Sequence, residues 1–102
     1  MRIAARAIVI LAFGLAGCAL PPPPVDSYVL ARSALEAAKA VDAARYSPGY
    51  FHKAENAYRN AQALYKDREY DEARDEFNHA RDLAEKAENS ARLIRYKNGE
   101  VL

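Results

Sequence analysis

The sequence predicts an all-α fold, a three-helix antiparallel bundle whose third helix is the longest. Two observations carry this. Residues 26–48 contain no glycine, and from there to the carboxyl end Ala, Leu, Glu, Lys and Arg, all strong helix formers, dominate. Apolar residues recur at three- and four-residue intervals, without the alternation a strand needs. Two short breaks, Tyr46-Ser47-Pro48-Gly49 and Asp67-Arg68-Glu69, divide this stretch into three, and short connections make consecutive helices antiparallel. A chain of 102 residues has room for one small domain, which buries a modest share of its surface.

The segment before the helices reads as an address. Arg2 and Arg6 form a positive start, residues 3–15 are apolar apart from Arg6, and small residues follow, as in a secretory signal peptide covering residues 1–17. The uncharged run 7–20 is about 14 residues, short of the roughly 20 that cross a bilayer, so no retained transmembrane helix is expected. Leu15-Ala16-Gly17-Cys18 resembles the type II signal peptidase site. Leu15 supplies its apolar residue, Ala16 and Gly17 the small residues that admit the backbone, and Cys18 the thiol that receives lipid. The resemblance implies cleavage after Gly17, with diacylglycerol and an N-acyl chain on Cys18 and no other cofactor. At about 0.8 kcal/mol per buried methylene, such chains make membrane lipid a lasting partner. Ala19 stands where the enterobacterial inner-membrane retention signal places Asp, which implies the periplasmic face of the outer membrane. Residues 18–25 then form a tether. Pro21-Pro22-Pro23-Pro24 forbids helix and favours polyproline II, a stiff spacer on the order of 12 Å.

The helical domain is expected over residues 26–98. The first helix covers about 27–45, capped by Asp26 or Ser27, with Tyr28, Ala31, Leu35, Ala38 and Val41 on one face. The second covers 48–66, with Ser47 as cap and Pro48 in its first turn, where a missing N–H costs nothing. Its apolar face holds Tyr50, Phe51, Ala54, Ala57, Tyr58, Ala61, Leu64 and Tyr65. The third covers 70–97, closed by Gly99, with 99–102 as a short tail. Tyr70, Phe77, Ala84 and Ala91 make one row of its seven-residue seam, and Ala73, Ala80, Ala87 and Ile94 the other. Pairs such as Glu55 with Arg59, Asp82 with Lys86 and Glu88 with Arg92 mark solvated faces.

Two families share these residues. Tyr65, Tyr70, Ala73, Phe77 and Ala80 resemble the turn and second helix of a tetratricopeptide repeat, though Arg68 stands where that repeat prefers Gly and Ala57 where it prefers Trp. The repeat implies a helical hairpin here, preceded by one helix. A wider resemblance spans the lipidation motif, the tether, the Ala-rich first helix, Tyr46-Ser47-Pro48 and the segment from Tyr70 to Ala73. It is to bacterial envelope lipoproteins carrying domain of unknown function 4398. Some members add a peptidoglycan-binding domain, and no such segment follows here, so peptidoglycan binding is not implied.

Composition narrows the function. Removal of Arg2 and Arg6 with the signal peptide leaves thirteen basic against fourteen acidic residues, with no one-sided basic field for nucleic acid. A single cysteine allows neither an internal disulfide nor a thiolate-rich metal site. His52 and His79 fall on different helices without ligand-spaced partners, and Ser27, Ser33, Ser47 and Ser90 sit in no nucleophile motif, so no metal, catalytic residue or enzyme activity is expected. The expected role is a membrane-anchored structural or adaptor protein acting through another envelope protein or a second copy. The alternative is a lipoprotein that binds a ligand or wall fragment for delivery to an envelope complex. Helix arithmetic makes the third helix longer than the first by on the order of 13 Å. That excess is expected to project from the membrane and carry a partner surface of Ala91, Leu93, Ile94 and Tyr96.

Overall fold

A computed structural model describes residues 21–100; the expected signal peptide, with Leu15, Ala16 and Gly17, and also Cys18, Val101 and Leu102, lie outside the described residues. Every regular element among the described residues is helical: α1 (Val25–Ala40), α2 (Ala43–Tyr46), α3 (Pro48–Lys66) and α4 (Tyr70–Lys97). At 28 residues α4 is the longest.

Helix α1 starts earlier than its polar residues suggest. Pro24 occupies the cap position with φ near −80°, its carbonyl accepts the Tyr28 N–H at 3.1 Å, and Asp26 falls inside the first turn, facing the positive end of the helix dipole. The helix also stops earlier. A single first helix to Arg45 is replaced by α1 and α2, because Asp42 adopts a left-handed conformation at φ 59°. Asp is among the few residues that tolerate it. In an unbroken helix the Arg45 N–H would bond to the Val41 carbonyl; here it bonds to Asp42. The freed Val41 carbonyl accepts Arg95 Nη1 of α4 at 3.0 Å, and Ala43 is fully buried. Tertiary contacts therefore hold a break that no glycine or proline announces.

Pro48 opens α3 as anticipated, while Ser47, at its cap position, is buried and makes no side-chain cap bond. The ends of α3 and α4 share one geometry. After α3, Arg68 N–H bonds to the Tyr65 carbonyl and Glu69 N–H to Leu64; after α4, Gly99 N–H bonds to Tyr96 and Glu100 N–H to Arg95. Each is a Schellman motif. Its left-handed residue is Arg68 (φ 62°) in one case and Gly99 (φ 78°) in the other.

The core lies along α4, which packs chiefly on α3 and next on α1. Of the seventeen buried apolar residues among those described, twelve are alanines, so helix axes approach closely and each site contributes little burial. Among the described residues Phe77 is the one large side chain fully enclosed. Its ring meets Tyr28 of α1 at 5.5 Å and Tyr58 of α3 at 5.8 Å, both edge-on, and the two tyrosines lie 6.1 Å apart, stacked. Tyr50, expected on the core face of α3, is instead 44% exposed. The pairs Asp82–Lys86 and Glu88–Arg92 form at 3.1 and 3.0 Å, but Glu55 turns to His52 rather than Arg59, which bonds to Asn56.

Contacts set the register. Tyr28 near the start of α1 meets Phe77 of α4, and Val41 and Tyr46 meet Arg95 and Glu100. α1 and α4 run in the same direction and α3 returns between them in the chain. We call the end where the described chain begins the near end and the end bearing Glu100 the far end. The expected overhang of the third helix at the far end is not there. Helix α2 reaches as far as Glu100, and the extra length of α4 lies before Phe77, at the near end, where Tyr70 packs on Tyr65 at 5.6 Å.

Candidate interaction surfaces

At the far end, a charged latch closes the molecule. Glu100 accepts the Tyr46 hydroxyl at 2.8 Å on one oxygen and Arg95 Nε at 2.7 Å on the other. Arg95 also donates to the Val41 carbonyl, and the Arg45 and Arg95 guanidinium groups lie 5.4 and 5.6 Å from the centre of the Tyr46 ring. Arg95, then Tyr46, hold the Glu100 carboxyl below its usual range. The hydrogen bond to Glu100, then desolvation, raises the Tyr46 hydroxyl.

This latch redraws the expected partner surface. Ala91 is 0% exposed and belongs to the core, because its seam position faces the other helices. Ile94 is half-buried. Leu93 and Tyr96, 54% and 76% exposed, are the members that remain on the surface. Cys18 and the three residues before it lie outside the described residues. His52 and His79 are exposed on separate helices, and no group of three or more metal-capable side chains occurs among the described residues.

A second surface went unread in the sequence. Each of α1 and α3 packs on α4 more than on the other, and a groove opens between them. At the near end it is an apolar cleft of about 360 Å³ lined by Val25, Tyr28, Gln62, Tyr65, Lys66 and Phe77. Farther along, a cleft of about 290 Å³ carries charged walls, with Arg32, Glu36, Lys39, Glu55 and Arg59. Tyr28 lines the first and Tyr58 the second, and their stacked rings join the two. Burial, then the hydrogen bond with Tyr28, pushes the Tyr58 hydroxyl up to about 12. Tyr28 and Tyr58 were legible as seam residues; nothing in their spacing shows that α1 and α3 diverge.

These features define a class: an all-helical module whose surface clefts are open to solvent. Residues 26–98 match the family described as Domain of unknown function (DUF4398), and the chain belongs to that family. No curated protein and no solved structure matches the chain. No helix among the described residues is long and apolar enough to cross a membrane.

Proposed function

We propose that this chain is a lipid-anchored adaptor of the bacterial envelope, acylated on Cys18 at the periplasmic face of the outer membrane. The observation that carries the reading is the placement of Cys18 directly after Leu15-Ala16-Gly17, at the end of an apolar run with a basic start. The four prolines lift the domain from the lipid headgroups. The helices are read as a three-helix antiparallel bundle, with α3 and α4 as a hairpin of tetratricopeptide type, near end toward the bilayer and far end toward the periplasm. Leu93 and Tyr96, exposed apolar side chains close to the far end, supply the contact for an envelope protein or a second copy.

Two experiments test this. Cys18→Ser is expected to leave the precursor unprocessed and unlipidated, and growth in globomycin to leave it unprocessed; normal maturation under both rules out the anchor. Leu93→Glu with Tyr96→Glu is expected to remove the partners captured by in vivo crosslinking from Lys97, and an unchanged pattern removes the docking surface. The groove between α1 and α3 favours a second reading, that the anchored domain binds a ligand.

A further inference from the structure

The groove between α1 and α3 has a polarity that selects among ligands. Its near half is lined by Val25, Tyr28 and Tyr65 over the enclosed Phe77, together with Gln62 and Lys66, and its other half chiefly by charged side chains. Those charges do not cancel. Glu36 is held by Arg32 at 3.5 Å, while Glu55 faces His52 at 3.4 Å, an imidazole that is a cation only when protonated, so in this half the three cations Arg32, Lys39 and Arg59 stand against two carboxylates. Lys39, Arg59 and Lys66 take part in none of the ion pairs among the described residues, and Arg59 donates only to the neutral amide oxygen of Asn56. Lys39 and Arg59 line the charged half and Lys66 the near half. The groove thus has its apolar wall at one end and a surplus of positive charge along its length, four cations against two carboxylates. From Val25 to Lys39 the helix rises about 21 Å, a length suited to an extended long-chain fatty acid.

We propose that this groove binds an anionic single-chain lipid, its hydrocarbon chain against Val25, Tyr28 and Tyr65 and its acidic group beside Lys39 and Arg59. The proposal rests on the ligand-binding reading above and does not require acylation of Cys18. A neutral amphiphile leaves the surplus positive charge unmatched, and a soluble anion leaves the aromatic wall wet. The acid with a chain satisfies both halves at once.

The test uses the full-length protein in neutral phosphatidylcholine vesicles, irradiated with palmitate carrying a diazirine in its chain, with adducts mapped by mass spectrometry. Adducts are expected on the peptides bearing Tyr28 and Tyr65, suppressed about tenfold by excess palmitate. Lys39→Glu with Arg59→Glu, both at exposed positions, is expected to cut palmitate labelling about tenfold while diazirine-bearing hexadecanol labels within about twofold of the unmodified chain. Adducts spread equally to Leu93 and Tyr96 and insensitive to competitor overturn the proposal, as does equal loss of acid and alcohol labelling. A photoreactive residue at Gln62 that captures a protein and no lipid in cells also overturns it, and assigns the groove to a helical partner. Uptake of a soluble muropeptide without palmitate preserves the ligand-binding reading and ends this one.

Discussion

The near and far ends of the molecule are closed by opposite chemistry. At the near end, three rings from three helices, Tyr28, Tyr58 and Phe77, surround one another, and Tyr65 packs on Tyr70. At the far end, one carboxylate collects an arginine and a tyrosine while the same arginine reaches across to a freed backbone carbonyl. Burial of rings is non-directional and tolerates small shifts. A charged latch depends on angle, distance and ionisation. The comparison teaches that a core built largely of alanine leaves its two ends to be fastened separately, each by its few large or charged residues.

The largest effect is expected from removing the near-end ring. Phe77→Ala should cost about 3–5 kcal/mol, enough to unfold much of a domain this small, read by urea denaturation of the helical circular dichroism signal. A loss below about 1 kcal/mol contradicts the role given to the aromatic cluster. At the far end, Arg95→Met releases Glu100 and strands the Val41 carbonyl, and for the stranded carbonyl roughly 1–2 kcal/mol is expected. Hydrogen exchange should then rise in α2 and the last turns of α4 while the near end keeps its protection. Uniform acceleration contradicts the separation of the ends.

The matched helix ends sharpen the same contrast. Nothing lies within 4 Å of a Cβ placed on Gly99, so Gly99→Ala meets only the left-handed backbone penalty, about 1 kcal/mol. Arg68 already bears that penalty, and Arg68→Gly is expected to stabilise by about 0.5–1 kcal/mol, less than the full penalty because glycine frees the unfolded chain. Opposite signs from two sites with the same hydrogen bonds are the expected thermal-melt result; equal signs contradict the assignment.

Smallest are the pH effects, which differ in direction. Glu100 is depressed, so its contribution is present above the ordinary carboxylate range and disappears as pH falls through its folded value; Glu100→Gln should flatten the acid limb of a stability profile. Tyr58 is raised to about 12, so its contribution is complete below about 10 and is lost as pH climbs toward 12; Tyr58→Phe should flatten the alkaline limb. Unchanged limbs in either variant contradict the corresponding assignment.

The near end was largely legible in the sequence and the far end was not, for physical reasons. Spacing places Tyr28, Tyr58, Tyr65, Tyr70 and Phe77 on inward faces, because apolar periodicity reports burial directly. Asp42 lies in an Ala- and Val-rich run with good helix propensity, and its left-handed turn is held by Arg95, fifty-three residues later in the chain. Local propensity does not register such a contact. Missing that break placed the spare length of α4 at the wrong end. Ala91 sat on the predicted seam and also in the predicted surface; burial resolves the conflict in favour of the seam. Tyr50 stays exposed although its neighbour Phe51, in the same first turn of α3, is buried and takes the inward position. The groove was invisible because helix spacing says which residues face inward and nothing of how far two helices diverge.

The proposal that orients these ends is that the near end is tied to a bilayer through Cys18. Intact-mass analysis of the protein extracted from membranes tests it most directly. The account predicts a chain beginning at Cys18 with the added mass of a diacylglycerol and one further acyl group. A free Cys18 thiol, or a chain that retains residues 1–17, contradicts it.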